Sequence, residues 1–291
     1  MITFTELGTY GRLGNQLFQY AALYAASLRN GYVCKIPNIQ QKVWHGQQCI
    51  LPCFNISAQY ITESELSSIR GTIVENPKTY GEYSPVLENI ADNINIQGFF
   101  QNTGYFKGYE NVIIDELTPR SNFIEKEKKK LQSLVGDPAN VVSLHIRRGD
   151  MVDGTNPFYE KFYGSGPFDQ KSVVGKYITD AIDIFSGNRN LKFLVFVGGS
   201  RTGNDSDDIK WAKEHFNDSK FVVNNTNNPL ADFIRISLCG SNIISASSTY
   251  SWWAAYINKN SEKTVVCPKN YSLDDSISVK QGFYPDSWKQ I

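Results

Sequence analysis

No stretch of this 291-residue chain approaches the ~18 consecutive apolar residues of a membrane-spanning helix, so no transmembrane segment is expected. The opening residues, MITFTELGTYGRLGNQ, hold no basic region ahead of a long apolar run. No secretory signal is therefore read there, and a cytoplasmic location is expected. Charge of one sign is also lacking. With 29 Lys+Arg against 29 Asp+Glu the net charge is zero, which argues against nucleic acid as the main partner. There are only 3 His and 5 Cys. Cys49 and Cys53 alone lie close together, with His45 nearby, and reduced thiols in a cytosolic protein account for the set better than a zinc site. No GxSxG element, no Cys–His arrangement and no P-loop ending in GK[ST] occurs.

Aromatic residues are abundant: 17 Phe, 16 Tyr and 5 Trp, within 41% hydrophobic residues. Such a composition builds a packed core and excludes disorder as the dominant state. At roughly 150 residues per domain the length suggests about two domains. Residues 2–7 (ITFTEL) read as a strand, 8–14 (GTYGRLG) as a glycine turn, and 13–28 as an amphipathic helix. Residues 32–36 (YVCKI) return to strand, a β-α-β opening. Residues 38–120 are less periodic. A short helix is expected from Thr62, capped through Glu65, and a strand over 93–100. Residues 123–135 (FIEKEKKKLQSLV) read as a helix with a solvated charged face. The turn cluster GDPAN at 136–140 marks the expected boundary, giving domains 1–138 and 139–291. Beyond it, apolar strands at 141–146, 191–197, 220–223, 242–246 and 263–267 alternate with helices. This pattern predicts a parallel sheet covered on both faces.

Ligands of such sheets bind beyond the carboxyl ends of the strands, which directs attention to three segments. HIRRGD at 145–150 follows the strand 141–146. His145 and Arg147 share one face and Arg148 leaves the other. Guanidinium groups there make an anion receptor, since they stay charged and bind phosphate oxygens bidentately; a pair of structural salt bridges with Asp150 is the alternative. SASSTYSWW at 245–253 places Ser247, Ser248 and Thr249 where a helix begins, a phosphate cradle or an ordinary cap. Trp252 and Trp253 are expected to pack that helix. In GTYGRLGNQ at 8–16, Gly11 and Gly14 permit close backbone approach, Asn15 stands at the helix start, and Arg12 could face developing negative charge. A glycine turn capped by Asn explains that segment as well. Asp205-Ser206-Asp207 spells DxD, but GGSRTGN separates it from the preceding strand. Ser206 is read as a helix cap and the acids as first-turn residues rather than a metal site.

GRLGNQLFQYA at 11–21, HIRRGD at 145–150 and NIISASSTYSWWAAYIN at 242–258, continued by VVCPKNY and the YPDSWKQI ending, together resemble glycosyltransferase family 11, the bacterial-type α-1,2-fucosyltransferases. The resemblance implies a GT-B fold, two Rossmann-like domains facing across a cleft, with an acceptor-side domain 1–138 and a donor-side domain 139–291. It implies transfer of L-fucose from GDP-β-L-fucose to the 2-hydroxyl of a terminal galactose, with inversion and without metal or other cofactor. The acceptor would be an oligosaccharide or lipid-linked glycan such as an O-antigen unit, handled in a bacterial cytoplasm or at the inner face of the inner membrane. Arg147 would bind the GDP phosphates, with Arg148 helping or holding the loop and His145 lying against the nucleotide. Ser247, Ser248 and Thr249 would add phosphate contacts, and Arg12, Gly14 and Asn15 would approach from the other domain. Two features depart from the family: it often has a second glycine where Arg12 stands, and a compact Phe-Ser-Asp-Asp where GGSRTGN is interposed before Ser206-Asp207-Asp208.

Cleaving a fucose–phosphate bond builds positive charge on the sugar and negative charge on the diphosphate. Fixed arginines and a helix N-terminus stabilise that diphosphate without reorganising. Asp153 is the base candidate for the acceptor hydroxyl, a donor phosphate oxygen being the alternative, while Asp150 orients the arginine loop. Other readings are a GDP-sugar transferase of another sugar or linkage, and a sugar- or nucleotide-binding protein without turnover.

Overall fold

The computed structural model describes residues 1–79, 81–152, 164, 166–188, 190–200, 204–269 and 280–291. The chain divides into two compact units. Unit 1 is Met1–Arg120 with Lys280–Asp286; unit 2 is Ser121–Val279 with Ser287–Ile291.

In unit 1, β1 (Ile2–Thr3), β2 (Cys34–Ile36), β5 (Gln59–Tyr60), β6 (Gly71–Val74) and β7 (Ile94–Gln97) form one sheet in the order β5-β2-β1-β7-β6. Every pairing in it is parallel. β3 (Val43–Trp44) and β4 (Gln47–Gln48) make a separate hairpin, whose turn residues His45 and Gly46 both have positive φ, as tight hairpins require. Helix α1 (Leu13–Asn30) buries most of its length. It ends at Gly31, φ +70°, where the backbone turns left-handed. The run 2–7 pairs only over Ile2–Thr3, because the chain turns at Phe4 and Leu7 N–H donates to its carbonyl. Phe4 and Leu7 are still fully buried: their apolar character marks core rather than strand pairing. The capping box on α2 (Glu63–Leu66) is present, with Thr62 and Glu65 bonding reciprocally. α3 (Glu110–Glu116) closes this part of the chain.

In unit 2, β8 (Val141–Arg147), β9 (Lys192–Gly198), β10 (Phe221–Val223), β11 (Ser241–Ile243), β12 (Val265–Cys267) and β13 (Lys289–Gln290) form a parallel sheet in the order β10-β9-β8-β11-β12-β13. Renumbered from β8 this is 3-2-1-4-5-6, the dinucleotide-fold order, whose switch point falls between β8 and β11. α5 (Gly149–Val152), α6 (Val173–Asp183), α7 (Ser206–His215), α8 (Pro229–Leu238) and α9 (Thr249–Tyr256) lie between the strands. The core gathers Val142, Leu144 and Ile146 of β8, Val195 of β9, and Ile178 and Ala181 of α6.

The boundary differs from the expected 138/139. α4 (Ser121–Val135) precedes the GDPAN turn yet belongs to unit 2. The reason is electrostatic as well as apolar. Glu127 of α4 is buried and its carboxylate accepts hydrogen bonds from Arg235 of α8, Nε at 3.0 Å and Nη2 at 2.8 Å. The charged helix is thus not only a solvated face. No helix among the described residues is long and apolar enough to cross a membrane.

Candidate functional site

The carboxyl ends of β8 and β11 flank the switch point of unit 2, and the residues there interlock. Arg147 ends β8. Its backbone N–H donates to Ser245 Oγ at 3.0 Å. Its guanidinium grips Asp150 twice, Nε to Oδ1 at 3.2 Å and Nη2 to Oδ2 at 2.9 Å, and Nη1 donates to the Ser247 carbonyl. Ser247 is held at φ +51°, an uncommon conformation for a non-glycine residue that points to function. Ser248 caps α9, its hydroxyl oxygen accepting from Ser251 N–H. Thr249 begins the helix, and the first-turn N–H groups with the helix dipole favour an anion at this end of the sheet. Trp252 and Trp253 are fully buried, packing α9 as expected.

Arg148 takes a different part from Arg147. Its Nε donates to Asp208 Oδ1 at 3.1 Å, and its guanidinium carbon lies 3.7 Å from the Trp211 ring centroid. Asp208 Oδ2 also accepts from Gly149 N–H at 2.8 Å. Arg148 thus ties the loop after β8 to α7. A Cβ on Gly149 would lie 2.1 Å from the backbone of Gly199 and Ser200, so only glycine fits where these two loops cross. The expected Ser206 cap is corrected: Asp205 occupies the N-cap without a side-chain cap bond, and Ser206 is already helical. Asp205 instead accepts from Ser200 N–H at 2.9 Å, and Asp207 and Asp208 stand in the first turn as read. Among the described residues no group of three or more His, Cys, Asp or Glu could hold a metal ion.

His145 is buried on β8, its ring 5.7 Å from that of Tyr250. Nδ1 has no hydrogen-bond partner among the described residues. Burial, aided by the Arg147 charge, pushes its pKa down to about 3, so the imidazole is neutral. Asp153 lies outside the described residues.

The other three predicted residues are in unit 1, between β1 and α1. Arg12 is the N-cap of α1, without a side-chain cap bond. Asn15 is not the cap, which corrects the expectation. It lies inside the first turn, where its Oδ1 accepts from Gln101 Nε2 at 3.1 Å. Gly14 is buried within that turn, whereas Gly11 carries the left-handed φ of +88°; a Cβ on Gly11 would sit 2.7 Å from Asn15 Nδ2. Two glutamines of α1, unremarked in the sequence reading, fix this loop. Gln16 Nε2 donates to the Gly11 carbonyl at 2.7 Å and Gln19 Nε2 to the Tyr10 carbonyl at 2.8 Å. Their spacing, one helical turn apart on the buried side, was the available signal.

Fold and site define a two-unit α/β protein with arginine, serine and a helix N-terminus gathered at a switch point. The model of Glycosyl transferase family 11 matches residues 2–291, and the chain belongs to that family. It is therefore a glycosyltransferase. It is 29% identical to the O-antigen biosynthesis glycosyltransferase WbnK of Escherichia coli, over 96% of this chain and 97% of that one. It is 28% identical to an alpha-1,2-colitosyltransferase of Escherichia coli, over 97% and 96%. It is 24% identical to galactoside alpha-(1,2)-fucosyltransferase 2 of Bos taurus, over 94% and 74%. Among solved structures it is similar to fucosyltransferase NodZ from Bradyrhizobium, with TM-score 0.51 and 10% identity over 87% of this chain and 91% of that one. A POFUT1 structure in complex with GDP-fucose gives TM-score 0.50 and 14% identity over 100% and 97%. These likenesses agree with the expected GT-B class of paired Rossmann-like units.

Proposed function

We propose that the protein transfers L-fucose from GDP-β-L-fucose to the 2-hydroxyl of a terminal galactose, with inversion. The observation that carries the reading is the meeting of Arg147, Ser247 and the start of α9 at the unit 2 switch point. In this reading Arg147 neutralises the departing diphosphate. The Asp150 grip and the Ser247 carbonyl preset its guanidinium, so no reorganisation is needed as charge develops. Ser248, Thr249 and the first-turn N–H groups of α9 add donors, and Arg148 acts through the loop it holds. Neutral His145 keeps a second positive charge away from the sugar, on which positive charge builds. Arg12 of unit 1 faces the developing negative charge, Gly14 and Asn15 add donor contacts, and Asp153 or a donor phosphate oxygen receives the proton. Support for donor and linkage comes from the relatives: a galactoside alpha-(1,2)-fucosyltransferase and the fold neighbour in complex with GDP-fucose. The WbnK relative supports a surface-glycan acceptor.

The colitosyltransferase relative favours a second reading, the same chemistry with another deoxy sugar on GDP. The test is donor specificity. Purified protein is incubated with lactose and, separately, GDP-fucose, GDP-mannose and UDP-galactose, without added metal. Fucosylated lactose from GDP-fucose alone, linked at the 2-hydroxyl, is the expected result. GDP-fucose left intact, with transfer from GDP-colitose added as a fourth donor, would favour the second reading. We also propose that no metal takes part: EDTA is expected to leave the rate unchanged. Complete loss, restored by manganese, would return the Asp205–Asp207 pair to consideration.

A further inference from the structure

We propose that Tyr10 and Phe99 form the sugar-stacking platform for the acceptor, and that Glu75 is the residue that positions it. The proposal rests on the glycosyl-transfer reading above and names the part of unit 1 that receives the acceptor.

The strand order of unit 1 has its own switch point. The chain runs outward from β1 through β2 to β5, then crosses to β6 and β7 on the other side of β1. Sheets of this kind take ligands where the order reverses, beyond the strands' carboxyl ends. The segments that leave those ends are 4–12 after β1 and 98–102 after β7. Each contributes one ring to a stacked pair. The Tyr10 and Phe99 centroids are 4.6 Å apart with an interplanar angle of 8°. Trp44, on the hairpin, meets Tyr10 edge-on at 6.5 Å. All three rings are half-buried, whereas the neighbouring Phe100 is fully buried.

The backbone below both rings is fixed by buried polar groups. Gln19 holds the Tyr10 carbonyl. Glu75, at the carboxyl end of β6, accepts from Phe99 N–H at 2.6 Å and Phe100 N–H at 3.0 Å. Glu75 is only 7% exposed, and its Oε1 has no hydrogen-bond partner among the described residues. Phe100 is held at φ +50°, and a Cβ on Gly98 would fall 2.4 Å from Glu75 Cβ. Burying a carboxylate costs stability unless its bonds compensate, and left-handed φ at a bulky residue costs more. Both act to set the direction of one half-exposed ring. Strain of this kind clusters at ligand sites.

The two segments that carry the rings also carry polar side chains: Glu6 accepts from Gln97 Nε2 at 2.7 Å, and the buried Gln101 donates to Asn15 at 3.1 Å. Carboxylate and amide groups beside aromatic rings suit a neutral hexopyranose, whose C–H patch stacks on a ring while its hydroxyls bond at the rim.

The test uses the whole protein, lactose as the probe, and saturation-transfer NMR beside kinetics. Wild type is expected to transfer saturation to the galactose C–H protons. Phe99→Leu, which keeps the volume and removes the π face, is expected to lose that transfer and to raise the KM for lactose about three- to tenfold. Phe99→Tyr is expected to retain both. Glu75→Ala is expected to raise the same KM, and Glu75→Gln to restore most of it, with GDP affinity by calorimetry unmoved in each. Absence of saturation transfer in wild type, or an unchanged signal in Phe99→Leu, overturns the proposal. A GDP affinity that falls together with lactose binding also overturns it, because the effect would then be general. Wild type that binds lactose through Phe99 yet forms no product from GDP-fucose leaves the platform standing and removes the donor reading.

Discussion

Arg147 and Arg148 are adjacent and chemically identical, yet the structure divides their work. Arg147 is shaped by Asp150 and Ser247 at the ligand end of the sheet; Arg148 lies against Trp211 and Asp208. Arg147→Lys is expected to lower kcat/KM about tenfold to a hundredfold, since a lysine keeps the charge but cannot make the two-point grip. Near-wild-type kinetics with GDP-fucose would remove Arg147 from the mechanism. His145 gives a second expectation. Its pKa falls from 6.5 to about 3 on folding. Between those values the unfolded chain binds the proton and the folded chain does not. Stability is therefore full above pH 6.5 and declines as pH falls toward 3, by at most about 1.4 kcal/mol per pH unit. His145→Gln is expected to flatten this part of the profile in urea unfolding from pH 7 to 4; parallel profiles for the two proteins would contradict it. The sequence displayed these residues because motif and strand end coincide. It did not display Glu75 or Phe99, since a lone acid and one phenylalanine among 17 carry no spacing signal.

Elements of unit 2 were legible because a parallel strand buried on both faces is mostly apolar, as β8 is at Val141, Val142, Leu144 and Ile146. In residues 38–120 the Thr62-capped helix α2 and the strand β7 were legible, but the remaining strands were not. β6 alternates between exposed and half-buried positions and β5 is exposed, so their apolar content stays low and pairing alone defines them. The domain boundary failed for a related reason. A turn cluster marks where the chain bends, but α4 is assigned by what it packs on, and its partner Arg235 lies 108 positions away. Burial works against the Glu127 charge, while bonds from Lys130 and Arg235 outweigh it and hold the carboxyl below its usual range. Glu127→Ala would leave the Arg235 guanidinium buried with Asn224 as its remaining hydrogen-bond partner among the described residues. A loss of about 3–5 kcal/mol in urea unfolding is expected; a loss below about 1 kcal/mol would mean that α4 is held by apolar contacts alone.

At the scale of the molecule, each unit is completed by the end of the chain. In unit 1, Asn102 Nδ2 donates to the Gln281 carbonyl at 2.8 Å, Thr103 N–H donates to the Gly282 carbonyl at 2.8 Å, and Phe283 packs on Phe18 with centroids 6.1 Å apart. In unit 2, β13 adds the last strand, and Ile291 N–H donates to the Cys267 carbonyl at 3.0 Å. Deleting residues 280–291 is expected to lower the stability of both units, followed separately by hydrogen exchange at α1 for unit 1 and at β8 for unit 2. A shift confined to unit 2 would show that the returning segment is dispensable to unit 1.

The same return has a consequence for how the protein is made. Unit 1 groups Met1–Arg120 with Lys280–Asp286, which leave the ribosome after nearly all of unit 2. At about 5–20 residues per second, the interval between emergence of Arg120 and Lys280 is on the order of ten to thirty seconds. For that time the amino-terminal half waits without its closing segment, Phe18 lacking the ring that will cover it. Biogenesis thus runs against the usual order in which the first domain matures first. Chaperone dependence during synthesis should accordingly concentrate on the half translated earliest.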